Sequence, residues 1–333
     1  VAVTTYDRAL GALTGLALGD ALGMPTQSMS RTQILADHGP ITGLVAAGPH
    51  QRIAAGMPAG SITDDTEQAL LLAQLLVDGG GAVAADGLAA ELLAWERDMA
   101  ARGSLDLLGP STKRAVERIA AGEPPEEAGR DGVTNGAAMR VAPVGVAVPA
   151  EPLDALVDAV VAASSVTHGT SLGLGAAAAV AAAVSVGVGG GSLADVLAVA
   201  PRAALLGAER GRWVAGGHVG ERIAWATQHL PSLPPERWAG EIDEVVGTSV
   251  AAQESVVAAF AIAAAEPDPW AALCLAASVG GDTDTIAAIL GAVLGSVHGV
   301  GAWPEDAVAL VAEVNGLDLP AVARDLLALR DRA

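Results

Sequence analysis

The chain has one cysteine, one lysine, one tyrosine and one phenylalanine in 333 residues, and aromatic side chains make up only 2% of it. The lone Cys274 excludes an intramolecular disulfide. In an apolar run it reads as a small buried hydrophobe, and a reducing, cytoplasmic setting fits. Charged residues are also few, at 17%, and the balance is acidic, with a formal net charge of −20. That argues against a nucleic-acid backbone or an anionic membrane surface as the main partner. The N-terminal stretch lacks the basic region and apolar run of a signal peptide. No charged residue occurs between His168 and Asp195, long enough on paper to cross a bilayer. The segment is built from Ala and Gly and has no basic flank, so a buried core helix is expected instead.

What is abundant is Ala, Val and Leu, which lift the hydrophobic fraction to 52%. Ala and Leu favour helix, and small side chains let helices approach closely. Apolar residues recur at three- and four-residue spacing in "RALGALTGLALGDALG", "TEQALLLAQLLVD", "TSVAAQESVVAAFAIAAA", "DTIAAILGAVLGSV" and many other segments. Gly- or Pro-rich breaks separate them, as at 78–82, 121–132, 187–192 and 230–236. The best strand candidate, "MRVAPVGVAVP" at 139–149, is demoted by its two prolines. The expectation is an all-α fold, a single compact many-helix domain over 1–333.

Two acidic clusters interrupt this apolar background. "TDDTE" at 63–67 and "GDTDT" at 281–285 each open a helical segment. Asp and Thr are favoured N-caps and acidic groups complement the positive helix end, so capping explains either cluster alone. Capping needs one side chain, however, and each cluster supplies two carboxylates with flanking hydroxyls. Crowded carboxylates repel, and a divalent cation removes that repulsion. Oxygen-only ligands suit Mg²⁺, Mn²⁺ or Ca²⁺, and two clusters could hold a pair of ions.

The order of motifs along the chain resembles the ADP-ribosylglycohydrolase family, the group that includes the dinitrogenase-reductase-activating glycohydrolase. The matching stretches are "GLALGDALGMP" at 15–25, "TDDT" at 63–66, "NGAAMR" at 135–140, "SVTHGT" at 165–170 and "GGDTDTIAAILGAVLGSVHG" at 280–299. The resemblance implies an all-α hydrolase with two divalent cations, Mg²⁺ or Mn²⁺. Carried over by position, Thr63, Asp64, Asp65, Asp282, Asp284 and Thr285 would be metal ligands. Asn135, Gly136 and His168 would line a ribose and phosphate site. Asp20 would lie near the metals, or else be a buried carboxylate satisfied by backbone or Ser/Thr. Arg140 would pair with a phosphate or anchor its loop.

Two departures from the family pattern stand out. Many relatives carry Glu where this chain has Gln27, and an amide cannot take up a proton at neutral pH. A water whose pKa is lowered by a cation would then replace it, with Asp64 or Asp65 accepting the proton. Adenine in this family is commonly stacked on an aromatic ring near the ligand loop, yet no Phe, Tyr or Trp occurs between Met99 and Val166. Trp95, Trp213, Trp225 and Trp303 lie elsewhere in the chain. The expected function is a glycohydrolase acting at the anomeric carbon of an ADP-ribosyl group or a smaller riboside. The alternatives are a riboside-binding module without turnover, which Gln27 supports, and a structural protein of the same fold. The sequence leaves the oligomeric state open.

Overall fold

A computed structural model describes residues 3–104 and 108–332. Within them the chain forms eighteen α-helices and three isolated β-bridges, with no strand among the described residues. The 139–149 stretch is two short helices, Gly136–Arg140 and Ala142–Ala147, with Pro143 in the first turn of the second. There a missing N–H costs nothing.

The organising contact joins the ends of the sequence. In the helix Thr5–Gly23, Gly11, Gly15, Gly19 and Gly23 fall four apart and share one face. They meet Gly295, Gly291, Ala287 and Asp284 of the antiparallel helix Thr283–His298. The backbones touch: a Cβ on Gly15 would lie 2.1 Å from the Gly291 carbonyl oxygen, and one on Gly19 would lie 2.0 Å from that of Ala287. This seam sets the late turns of the first helix, with Asp20, against the start of the last acidic segment.

The uncharged helix Ser171–Val188 is 89% buried and is a core helix, packed against Leu193–Arg210 and the Thr283–His298 helix. Leu193–Arg210 went unread in the sequence because Pro201 lies inside it. One large core runs through these helices, with a small satellite of Leu88, Leu92, Leu108, Val116 and Val166 beside it.

Candidate active site

The N-cap residue of neither acidic cluster caps its own helix. Thr63 is the N-cap of Asp64–Asp78 and Asp282 is that of Thr283–His298, and neither side chain makes a capping hydrogen bond. The first helix start is capped by Asp20, wholly buried, across 43 residues of sequence. Its Oδ1 accepts from the Thr63 hydroxyl at 2.6 Å, and its Oδ2 accepts from the Thr66 amide at 3.0 Å and hydroxyl at 2.5 Å. Burial pushes the Asp20 carboxyl up to about 6, against the pull of its threonine donors. Asp20 thus satisfies helix-terminal N–H groups that the cluster's own side chains leave alone. The buried carboxylate satisfied by threonines, one of two readings of the sequence, is what the fold builds.

The second cluster is placed by backbone. Gly280 and Gly281 have φ of +83° and +74°, the left-handed region that favours glycine, and a Cβ on Gly281 would lie 2.3 Å from the Thr248 carbonyl oxygen. Ser28 N donates to Gly281 O at 2.6 Å, Gly281 N to Met29 O at 2.9 Å, and Asp282 N to Thr248 O at 2.7 Å. Asp282 is delivered from this clamp to Asn135, whose Nδ2 donates to Asp282 Oδ2 at 2.5 Å and to Ser255 Oγ at 2.9 Å. Burial raises the Asp282 pKa, and the bonds from Asn135 and Thr285 oppose that rise.

The two clusters meet although 220 residues separate Asp65 from Thr285: the Thr285 hydroxyl points at Asp65 Oδ2, 3.4 Å away. Asp64, Asp282, Asp284 and Thr285 line one cavity of about 160 Å³ together with Gln27, Thr134, Asn135 and Gly136. Thr63 and Asp65 lie just beneath, each 1% exposed. Gln27 is pinned through its carbonyl, which accepts from Gln51 Nε2 at 3.1 Å, while its own Nε2 is buried without a hydrogen-bond partner. His168 is not on the cavity wall. It is fully buried behind Gly136, with Nδ1 2.8 Å from Thr167 Oγ1 and Nε2 3.0 Å from Thr134 Oγ1. Burial and the nearby Arg140 and Arg114 hold its pKa well below the ordinary value, so it is neutral at pH 7.

Arg140 is likewise fully buried and anchors the loop. It donates to Gln68 Oε1 at 3.3 Å and to Thr167 Oγ1 at 2.6 Å, and Gln68 Nε2 donates to Asp64 Oδ2 at 2.9 Å. Desolvation lowers its pKa to about 10, so it stays charged at neutral pH. The sequence reading missed Gln51, Gln68, Ser255 and Thr134. Gln68 had a signal, four residues after Asp64 and on the same helix face. Gln51 and Ser255 had none.

The converging side-chain atoms at the two clusters are oxygens, the donor type of hard divalent cations. Among the described residues no three His, Cys, Asp or Glu side chains form a ready cage. A cation here would therefore need the Thr63 and Thr285 hydroxyls as well as the carboxylates. Thr63 suits that task, because its proton is committed to Asp20 and its lone pairs remain. The donor set fits the ion.

The fold is all-helical, and its two Asp/Thr helix starts converge on one small polar cavity. The chain belongs to the ADP-ribosylglycohydrolase family, whose model matches residues 2–333. It is 34% identical over 328 residues to the uncharacterized protein YegU of Escherichia coli, covering 98% of each chain. It is 29% identical to the ADP-ribosylarginine hydrolase Tri1 of Pseudomonas putida, over 92% of this chain and 74% of that one. To the ADP-ribosyl-[dinitrogen reductase] glycohydrolase of Rhodospirillum rubrum it is 32% identical, over 51% of this chain and 54% of that one. A solved ADP-ribosylglycohydrolase-related protein complex superposes with a TM-score of 0.73 at 27% identity, covering 98% of both chains.

Proposed function

We propose that the protein cleaves the anomeric bond of an ADP-ribosyl group or a smaller riboside. Two divalent cations, Mg²⁺ or Mn²⁺, would be held by Thr63, Asp64, Asp65, Asp282, Asp284 and Thr285. The observation that carries this is the meeting of both acidic clusters on one cavity, with neither N-cap side chain, Thr63 nor Asp282, used to cap its helix. Bound there, the cations would offset the carboxylate charge, orient sugar hydroxyls and lower the pKa of an attacking water.

The chain's own residues have separable tasks. Asn135 and Gly136 face the sugar. A Cβ on Gly136 would approach His168 Cε1 to 3.1 Å, so glycine there lets the loop pack closely against the imidazole behind it. Asp64 or Asp65 accepts one proton from the water as the water oxygen bonds to the anomeric carbon; the bond to the leaving group breaks with its electron pair, and the carboxylate returns that proton to the leaving group. Gln27 takes no proton and hydrogen-bonds the substrate. The relatives' names favour an ADP-ribosyl substrate. The cavity favours a smaller one: it is below the ~300–1,000 Å³ of pockets that enclose drug-sized ligands, and no aromatic side chain lines it. It takes the sugar and leaves the rest of a large ligand outside.

A turnover screen with Mg²⁺ or Mn²⁺ over ADP-ribosyl-arginine, ADP-ribosyl-serine, O-acetyl-ADP-ribose and simple nucleosides tests the reading. Calorimetry with ADP-ribose and ribose-5-phosphate should give affinities within about tenfold, since stacking on an aromatic is worth ~1–3 kcal/mol where present. Binding without turnover of any compound would make the protein a riboside-binding module. Neither binding nor turnover would sink the assignment.

A further inference from the structure

The buried cation behind the site does more than anchor a loop. Arg140 can only donate, so the 2.6 Å contact makes Thr167 Oγ1 an acceptor from it. The Thr167 proton must then go elsewhere. His168 Nδ1 lies at 2.8 Å and the Ser164 carbonyl at 3.4 Å, so the ring nitrogen is the better acceptor. A neutral His168 that accepts at Nδ1 carries its proton on Nε2. That Nε2–H, 3.0 Å from Thr134 Oγ1, makes Thr134 an acceptor in turn. The remaining Thr134 proton points away from the imidazole, and Thr134 lies on the cavity wall beside Asn135.

We propose that the fixed charge of Arg140, relayed through Thr167 and His168, makes the Thr134 hydroxyl a one-way hydrogen-bond donor into the cavity, where it binds an electronegative oxygen of the ligand. The direction matters because the neighbouring carboxylates are acceptors and suit hydroxyl protons. Thr134 supplies the opposite character, suited to a ring, ester or phosphate oxygen that has no proton to give. His168 acts as a positioning residue in this scheme. It touches no ligand, and its tautomer passes the polarity from a buried guanidinium to a cavity hydroxyl. The same geometry explains why the histidine of "SVTHGT" is fully buried.

The inference rests on the ribosyl reading only in its choice of probe. In ¹⁵N-histidine-labelled protein, His168 should be neutral at pH 7 with the proton on Nε2 and an unprotonated Nδ1. A proton on Nδ1 overturns the proposal. With ADP-ribose and Mg²⁺ in calorimetry, Thr134→Val should weaken binding about tenfold, and Thr134→Ser should restore it to within about twofold. The Mg²⁺ affinity of both variants should match the parent; Tm should fall in Thr134→Val, which leaves the buried His168 Nε2–H without an acceptor, and stay near the parent in Thr134→Ser. An unchanged ADP-ribose affinity in Thr134→Val overturns the proposal even if the tautomer is as expected. If the parent protein binds neither ADP-ribose nor ribose-5-phosphate, the functional reading fails, and the His168 tautomer by itself upholds or overturns the relay.

Discussion

The two acidic helix starts have nearly the same letters and are held by opposite means. The 63–66 start hangs from a side chain, Asp20, which takes the Thr63 and Thr66 donors. The 282–285 start hangs from backbone, two left-handed glycines clamped by Ser28, Met29 and Thr248. Both arrangements hold the start of the helix from outside the cluster, and in both the N-cap side chain makes no capping bond. The lesson is that an acidic run at a helix start is worth reading as a site when something else does the capping.

The largest effect should come from removing a cavity carboxylate common to neither support. Asp284→Ala is expected to abolish turnover and most divalent-cation affinity in calorimetry. Retained cation affinity would detach the second cluster from the site.

Next is the seam that brings the two starts together. Gly19→Ala places a methyl 2.0 Å from the Ala287 carbonyl oxygen, so the helices must part. Thermal or urea unfolding should show a loss of about 3 kcal/mol. A neutral result would mean that the close approach is not what holds the ends of the chain.

Asp20→Ala should separate the two supports. It leaves the Thr63 and Thr66 donors without their acceptor, at a cost on the order of 2 kcal/mol. Hydrogen exchange should quicken at the Thr63 and Thr66 amides and stay slow at the Asp282 amide. Equal quickening at Asp282 would show that the starts share one support.

The His168 behind Asn135 gives a pH test. Its folded pKa is depressed by burial and by Arg140, so the unfolded chain takes up the proton first. The stability it contributes is full above pH ~6.5 and falls as pH drops below that, by about 1.4 kcal/mol per unit until the folded pKa is reached. Tm against pH in metal-free protein should show this slope reduced by Asp20 and Asp282, whose raised pKa values act with the opposite sign. His168→Asn should reduce it without removing it, because half-buried His298 is shifted the same way.

The smallest effect is expected at Gln27. Gln27→Ala should lower turnover less than Asp284→Ala, since an amide carries no proton. Equal damage would make Gln27 more than a hydrogen-bonding contact. Gln27→Glu is the sharper variant: a gain of ~10²-fold would reveal that a missing general base limits the rate.

Much of this was legible in the residues. Period, composition and the absence of alternating runs point to helices, because burial of one face imposes the 3.6-residue repeat. Pro201 hid one helix, since local propensity disfavours what the packing of Leu193–Arg210 supports. The paired Asp/Thr letters mark a site, because two carboxylates exceed what a cap requires. The sequence left two readings each for Asp20 and Arg140, and their neighbours decided both.

The amino-acid sequence by itself determined the all-helical class, the acidic and oxygen-rich chemistry of the two clusters and the lack of an aromatic between Met99 and Val166. These are properties of composition and spacing, and no fold is needed to read them. Tertiary structure alone decided that Asp20 caps a helix 43 residues away, that His168 sits behind the wall and that Arg140 faces Gln68 and Thr167 in the interior. The glycine seam likewise draws residues from both ends of the chain into contact. The direction of a hydrogen bond is then set by whichever donors and acceptors the packing leaves in reach.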